Sequence, residues 1–306
     1  MRIIIAGGSG LIGRALTSSL VNDGNELIVL SRNPGRVINF PPGVKILEWD
    51  GTSVTEWGKE IANTDVVINL VGENLSGAGL LPLRWTKERK NRILQSRVNA
   101  GKSLSQAIEM SDKHPAIFVQ ASGIGYYGTD RRYEFTEESA PGNDFLANLS
   151  KSWEASSESI EELGVRRIII RSGVVLSSQG GALRPLLFPY KYFIGGPIGD
   201  GKQVLSWIHI DDVVTAIRFL ISSYQSCGAF NLTSPNPVTN NDFGKTMSKV
   251  LNRPHYFRLP GFIMRLALGE VADMVLKGQT ALPAKLLASG FSYKYPTLEE
   301  ALKNLL

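Results

Sequence analysis

The sequence predicts an α/β protein built on a doubly wound parallel sheet, and three observations predict it. Short Val- and Ile-rich runs alternate with helical patterns through the first two-thirds of the chain, a glycine-rich turn joins the first run to the first helix, and the regularity weakens after Arg171. Apolar runs separated by helices are the pattern of parallel strands covered on both faces and joined by right-handed crossovers. The runs are Arg2–Ala6, Glu26–Leu30, Val44–Trp49, Val66–Leu70, Ile117–Ser122 and Arg167–Arg171. Between them, Leu11–Asp23, Trp85–Met110 and Phe145–Leu163 carry helical periodicity.

Beyond Arg171 the segment Gly180–Lys202 is rich in Gly, Pro and aromatics and reads as a substrate loop or lid. Val204–Ile210 and Ala229–Leu232 read as further strands. Asp211–Ser222, Asn241–Leu251, Phe262–Gly278 and Thr297–Leu306 read as helices, the first capped by its leading aspartates. We expect a cofactor domain over residues 1–172, drawing core strands from later segments as well, and an interleaved, smaller C-terminal α/β substrate region over 173–306.

Of the 306 residues 43% are hydrophobic and 20% charged, which excludes a disordered or fibrous chain. The net charge of +5 admits nucleic acid, an anionic membrane or a phosphorylated cofactor as partner. The basic residues are dispersed outside Arg84–Arg97, and no aromatic-interleaved basic face or reader motif is present, so neither nucleic acid nor membrane is expected. A single cysteine, Cys227, rules out an intrachain disulfide or a multi-cysteine metal site and suggests a reducing compartment. A strand entered at residue 2 and the lack of a run of about 20 apolar residues lead us to expect a cytoplasmic protein.

Gly7-Gly8-Ser9-Gly10-Leu11-Ile12-Gly13 gives a GxxGxxG pattern directly after the first strand and before the first helix. A Rossmann dinucleotide site needs a tight turn at the first glycine, close approach of backbone to pyrophosphate at the second and close helix packing at the third, with helix N-terminal amides facing the phosphates. The second strand then ends in Ser31-Arg32, with Arg36 close behind, where NAD-binding folds place an acid on the ribose hydroxyls. An arginine there can pair with a 2′-phosphate, so the expected cofactor is NADP(H); the alternative is a surface arginine. Trp49-Asp50 should lie beside the adenine, unless Trp49 is core packing. Leu70-Val71-Gly72 should pass beneath the dinucleotide, and Glu73 should enter the cleft.

With these residues in view, the chain resembles the extended short-chain dehydrogenase/reductase superfamily. More closely, it looks like the atypical nucleotide-sugar-epimerase-like family, an NAD-dependent epimerase/dehydratase-like group sometimes labelled cell-division inhibitor. Matching segments are Gly7–Gly13, Asn69–Asn74, Arg84–Lys90, Ser96-Arg97, Gly123–Gly128, Trp153-Glu154, Ser206–Asp212 and the stretch from Gly269-Glu270 to Gly290-Phe291. The resemblance implies NADP(H) binding and an epimerase-like fold, without a substrate. It also implies a Ser or Thr at the end of the fifth strand and a Tyr-x-x-x-Lys helix motif, in which Tyr transfers a proton and Lys lowers its pKa and holds the nicotinamide ribose. Here Lys151 matches the lysine, but Ala147 stands where the tyrosine should be; Ser122 matches the serine, or Gly123 if the register shifts by one.

Tyr126 and Tyr127, in the loop after the fifth strand, are candidate proton donors or packing aromatics. Ser122 and Lys151 complete the candidate catalytic set, and both are also expected against the cofactor. His209 with Asp211 and Asp212 reads as a capped strand-to-helix junction rather than an acid–base pair. Arg84, Lys87, Arg89, Lys90, Arg92 and Arg97 form either a solvated helix face or a cluster facing an anionic substrate or the cofactor phosphates; the family resemblance at Ser96-Arg97 places Arg97 near the cleft, and it is expected against the cofactor. The function expected is an NADP(H)-dependent, epimerase-like oxidoreductase acting on a small-molecule substrate. The alternative, favoured by Ala147, is a non-catalytic NADP(H) sensor.

Overall fold

The computed structural model describes residues 1–36, 40–77, 83–129 and 133–306, Arg36 by its backbone alone. The strands in chain order are β1 Arg2–Ala6, β2 Glu26–Ser31, β3 Lys45–Glu48, β4 Val66–Asn69, β5 Ile117–Gly123, β6 Glu134–Phe135, β7 Arg166–Ser172, β8 Val174–Ser177, β9 Gly180–Gly181, β10 Val204–Leu205, β11 Trp207–His209, β12 Gly228–Leu232, β13 Val238–Thr239 and β14 Thr280–Ala281. The helices are α1 Leu11–Asn22, α2 Lys87–Glu109, α3 Phe145–Ala155, α4 Leu183–Lys191, α5 Ile210–Ser222, α6 Asn240–Leu251, α7 Gly261–Leu268, α8 Asp273–Leu276, α9 Ala284–Ala288 and α10 Leu298–Leu305.

Seven strands form one parallel sheet in the order β12-β7-β5-β4-β1-β2-β3. The fold is the doubly wound Rossmann type that the alternating runs predict. From β1 the chain first builds outward through β2 and β3, then returns to place β4 on the other side of β1. The strand order therefore reverses between β1 and β4, and the crevice beyond their carboxyl ends is where such sheets bind ligands. Successive side chains of each strand point to opposite faces. Ile3, Ile5, Leu27, Val29, Val66 and Ile68 pack with Leu16 of α1 and Ile217 of α5. Ile4, Ile28, Val67 and Phe118 pack on the other face with Leu104 and Ile108 of α2 and with Trp57. Every strand of the centre is thus covered twice, which is why its sequence reads as continuous apolar residues rather than alternation.

The second half departs from the sequence expectation in instructive ways. The expected helix over Phe145–Leu163 stops at Ala155, where the Ser156 hydroxyl turns back onto the Trp153 carbonyl at 2.6 Å and competes with helix propagation. The expected helix over Phe262–Gly278 breaks at Gly269, whose φ of +61° a helix cannot use. The expected strand over Val204–Ile210 divides: β10 pairs antiparallel with β13, while β11 pairs parallel with β8. Gly180–Lys202, expected as a substrate loop or lid, carries regular structure. It contains α4, whose Leu183, Leu187 and Tyr190 join Phe243, Met247 and Leu302 in a third core cluster.

Candidate active site

The glycine turn has the geometry a dinucleotide needs. Gly7 adopts φ +81°, and a Cβ there would meet the Leu70 carbonyl carbon at 2.8 Å, so the ends of β1 and β4 touch backbone to backbone. A Cβ on Gly13 would lie 2.4 Å from the Gly7 carbonyl oxygen, which locks α1 against the turn. Gly10 is different: its Cβ would meet only the Gly7 oxygen, at 3.3 Å, and its outer side is open. Gly10 is also the residue at which α1 starts, with no side-chain cap and no acidic residue in the first turn. The helix amides from Leu11 and Ile12 onward are therefore available to an anion, and the positive end of the helix favours one. Ser9 is exposed beside them, its carbonyl held by Arg14 Nε at 3.0 Å.

Around this turn, Arg32 is exposed just past the end of β2, and the Ser31 hydroxyl accepts the Asn33 amide at 3.3 Å. The Arg36 side chain lies outside the described residues. Asp50 organises its own loop, accepting the amides of Thr52 and Ser53 and the Ser53 hydroxyl; those hydrogen bonds hold its carboxyl well below the usual range. The Trp49 indole is buried edge-on to Trp57 at 5.6 Å and donates to the Ser53 carbonyl, the core packing that the sequence left open as the alternative. Val71 donates to the Asn69 side chain, and Glu73 takes a hydrogen bond from no helix amide but donates its own amide to Ser96.

Beyond the carboxyl ends of β5 and β7 lies a cavity of about 670 Å³. Ser122 lies at its floor. The Ser122 hydroxyl donates to Glu154 Oε1 at 2.6 Å, and Glu154 is held by Arg171 in a two-pronged ion pair, both contacts at 2.8 Å. All three residues are buried. Burial works against the Arg171 cation, but the Glu154 hydrogen bonds and charge, with the Tyr127 hydroxyl, outweigh it and hold its pKa above the usual arginine value. Ser122 therefore has its proton committed and can offer a substrate only its oxygen lone pairs.

Helix α3 turns to the cavity a face other than the one the lysine motif implies. Its cavity-facing residues are Phe145, Leu146, Leu149, Ser150 and Trp153, a stripe at helical spacing. Ala147 is fully buried behind that face, and Lys151 does not line the cavity. The four-apart pairs facing the cleft are Phe145 with Leu149, Leu146 with Ser150 and Leu149 with Trp153, so no tyrosine–lysine pair of this helix faces it. The register follows from the Asp144 cap, which accepts the Ala147 amide, and from Glu154, turned to Arg171. Tyr127 lines the cavity, with its hydroxyl proton given to Asn231. Its hydroxyl is fixed between Arg171 Nη1 at 3.0 Å and Asn231 Oδ1 at 2.7 Å, and burial pushes its pKa up. The Tyr126 ring packs against the Arg171 guanidinium, 3.4 Å from carbon to centroid, and does not line the cavity.

The outer wall of the cavity is a segment that the sequence did not single out for the site. Glu270, Asp273, Met274, Lys277, Gly278 and Gln279 line it. Ser206, the residue between β10 and β11, ties this wall down by donating to the Gln279 carbonyl and accepting the Ala281 amide, both at 2.9 Å. Arg84 donates to the carbonyls of Leu266 and Ala267, and Lys90 pairs with Glu270. Arg89 supports the Asn74 and Leu75 carbonyls. Arg84 and Lys90 thus clamp the wall, while Arg89 and Arg92, the latter 3.6 Å from Glu73, hold the segment after β4. Arg97 is the exception, since it lines the cavity. His209 and Asp212 are junction residues: His209 caps α5 through the Asp211 amide, and Asp212 accepts the amides of Lys294 and Tyr295.

A family model described as the NAD dependent epimerase/dehydratase family matches residues 3–152, and one described as a domain of unknown function, DUF1731, matches 259–305. Over its whole length the chain is 38% identical to epimerase family protein YfhF of Bacillus subtilis (strain 168), covering 98% of that protein. The chain belongs to the epimerase family. The human epimerase family protein SDR39U1 (isoform 2), solved with NADPH, is 32% identical and superposes with a TM-score of 0.87 over 100% of this chain and 99% of that one. The UDP-glucuronic acid 4-epimerase of Bacillus cereus, solved with UDP-glucuronic acid and NAD, is 15% identical with a TM-score of 0.78, covering 100% of this chain and 98% of that one, and shares the fold. The two matched models of this family member meet at the cavity: the first contains the glycine turn, Ser122 and α3 as far as residue 152, and the second supplies the wall. No helix among the described residues is long and apolar enough to cross a membrane.

Proposed function

We propose that this epimerase-family protein is an NADP(H)-dependent oxidoreductase that acts on a small carbonyl or sugar-derived substrate in the cavity beside Ser122. The observation that carries the reading is the placement of a dinucleotide-ready glycine turn and a roomy, partly polar cavity at the same carboxyl edge of one parallel sheet. Arg32 supports the phosphorylated cofactor, as does the NADPH in the SDR39U1 structure. The residues for the dinucleotide are Gly7, Gly10 and Gly13, the α1 amides, Arg32 and the Leu70–Gly72 backbone. A bound nicotinamide supplies or accepts a hydride. Ser122 accepts a hydrogen bond from the hydroxyl of the reduced, alcohol form of the substrate and orients it. Glu154 fixes the direction of the Ser122 hydroxyl and is not the base, because protonating it would break the Arg171 pair. With no tyrosine or lysine on the cleft face of α3, proton exchange falls to water in the cavity, and turnover should be slow.

That same apolar face favours a second reading, a sensor of NADP(H) redox state that binds without turnover. The purified protein should bind NADPH and consume it in the presence of some member of a panel of aldehydes, ketones and sugar nucleotides. Absence of NADPH binding would remove both readings. Binding without turnover, together with a protein partner held by NADPH but not by NADP⁺, would establish the sensor.

A further inference from the structure

One face of the protein is apolar, basic and uncovered. Helix α4 ends in an exposed tip, Tyr192, Phe193 and Ile194, and the segment before α7 sets exposed Tyr256 and Phe257 beside it: the amides of both donate to the Gly195 carbonyl, at 2.9 and 3.0 Å. Ile194 and Phe257 share the lining of a groove of about 290 Å³ with Pro185 and Pro189 of α4. Helix α7 follows directly and carries an exposed stripe of its own, Phe262, Ile263 and Leu266, with Phe262 71% and Leu266 74% exposed. Large apolar side chains gathered in the open mark a surface that another apolar phase covers. Phe193 adds a second sign. Its φ of +62° is a left-handed backbone that bulky residues seldom adopt, and it holds the ring outward beneath the Arg253 guanidinium, 4.4 Å from carbon to centroid.

Charge says what covers this face. Residues 180–199 and 243–269 contain no Asp or Glu, while they hold two and five Lys or Arg respectively. Lys249 and Arg265 pair with Glu299 and Asp273, whereas Lys191, Arg253 and Arg258 form no ion pair among the described residues. Arg258 lines the groove, Lys191 stands in the last turn of α4, and Arg253 covers Phe193. Dispersed along the sequence, these cations are gathered by the fold around the exposed rings. A second copy of the chain fits poorly, because a two-fold contact would set the same cations against one another. A bilayer surface fits both features: its apolar boundary takes the rings, and anionic headgroups take the unpaired cations. Tyrosine and arginine, apolar along the body and polar at the tip, suit that boundary.

We infer that the end of α4, residues 256–259 and α7 together dock peripherally on an anionic phospholipid bilayer, with Phe193 and Phe262 entering it and Lys191, Arg253 and Arg258 at the headgroups. No segment need cross the bilayer. Helix α7 leads through Gly269 into the cavity wall at Glu270, so the docked face adjoins the candidate active site. The inference does not depend on which reaction, if any, that site performs.

The test is flotation of the full chain with vesicles of phosphatidylglycerol mixed with phosphatidylcholine, and with vesicles of phosphatidylcholine alone, for the parent, Phe193→Asn, Phe262→Gln and Arg258→Gln. The parent should float with the mixed vesicles and bind phosphatidylcholine alone about tenfold or more weakly. Arg258→Gln should lower the partition about fivefold, the effect of one cation near a charged surface. Each phenylalanine variant should lower it about tenfold. Asparagine accepts the left-handed backbone at 193, so melting temperature and NADPH affinity should match the parent's, and the exposed Arg258 keeps the test open should an aromatic variant unfold. The inference fails if the parent ignores the mixed vesicles, if phosphatidylcholine alone serves as well, or if all three variants float like the parent. Binding of polyglutamate through Arg258 without any vesicle binding would assign the face to an acidic protein and overturn the bilayer. A dimer that Phe193→Asn dissociates, again without vesicle binding, would overturn it in favour of a second copy.

Discussion

Gly10 and Gly13 occupy the same turn but should respond oppositely to the same added methyl group. An alanine Cβ at Gly13 would sit 2.4 Å from the Gly7 oxygen, 2.6 Å from the Gly8 Cα and 2.7 Å from the Gly8 carbonyl carbon. All three are backbone atoms, so relief requires moving α1 off the turn by about 1 Å, and overpacking of this kind costs about 1–3 kcal/mol. At Gly10 the nearest atom is 3.3 Å away and φ is −74°, which alanine adopts freely. The stability cost of Gly10→Ala should stay within about 1 kcal/mol, the difference between a Gly and an Ala helix cap. Its Cβ, however, would stand where the pyrophosphate must approach the α1 amides. Losing one charge-assisted hydrogen bond at about 1.5–3 kcal/mol should weaken NADPH by roughly tenfold to one-hundred-and-fifty-fold. Denaturant unfolding of the free protein and fluorescence titration of NADPH separate the two effects. Gly10→Ala binding NADPH within about twofold of the parent would refute the placement of the dinucleotide over Gly10.

Arg32→Ala should weaken NADPH by about tenfold or more and leave NADH within about twofold, the loss of one charged hydrogen-bond donor to a 2′-phosphate; equal effects on both cofactors would remove Arg32 from the site. Arg171→Met strands the buried Glu154 carboxylate, so unfolding free energy should drop by about 3–5 kcal/mol, and a drop below about 1 kcal/mol would show that Glu154 has another partner. Burial holds His209 below its usual pKa, so the unfolded chain takes up a proton before the folded one. His209 therefore contributes no penalty above about pH 6.5 and a growing one as pH falls toward its folded pKa, at most about 1.4 kcal/mol per pH unit. His209→Asn keeps an α5 cap and should flatten that decline in denaturant melts; an unchanged slope would exonerate the histidine.

The parts of the site legible in the sequence are those made by neighbours in the chain. The turn from β1 into α1 is one local motif, and so is the Ser31-Arg32 end of β2. The cleft face of α3 was not legible, because a helix presents several possible faces and its rotation is set from a distance. Glu154 turns toward Arg171, seventeen residues away, and this rotation puts Ser150 on the cavity and takes Lys151 off it. Spacing alone aligned Lys151 with a lysine motif; the stripe Phe145, Leu146, Leu149, Ser150, Trp153 ending beside a lone acid was the available signal for the true face. The wall at 270–279 was hidden for a related reason. It reaches the cavity through the Ser206 hydroxyl and the Arg84 and Lys90 side chains, contacts that span 73 to 183 residues of sequence.

Arg97 and Arg171 are both buried arginines of one cavity region, yet their surroundings assign them opposite roles. Arg171 has a two-pronged carboxylate, a tyrosine hydroxyl and a tyrosine ring around it, a saturated arrangement in which removal of the cation leaves a stranded acid. Arg97 has one carbonyl of its own helix and a ring face. Removing it strands nothing, and replacing it with methionine keeps the stem packed while deleting a desolvated charge. Stability therefore gives no reason for a cation there, and Arg97→Met should leave the unfolding free energy of the free protein unchanged or raise it by about 1–2 kcal/mol. A loss above about 2 kcal/mol would make Arg97 a structural residue like Arg171. A gain in stability joined to a loss of NADPH affinity would be the signature of a charge held in readiness for a ligand.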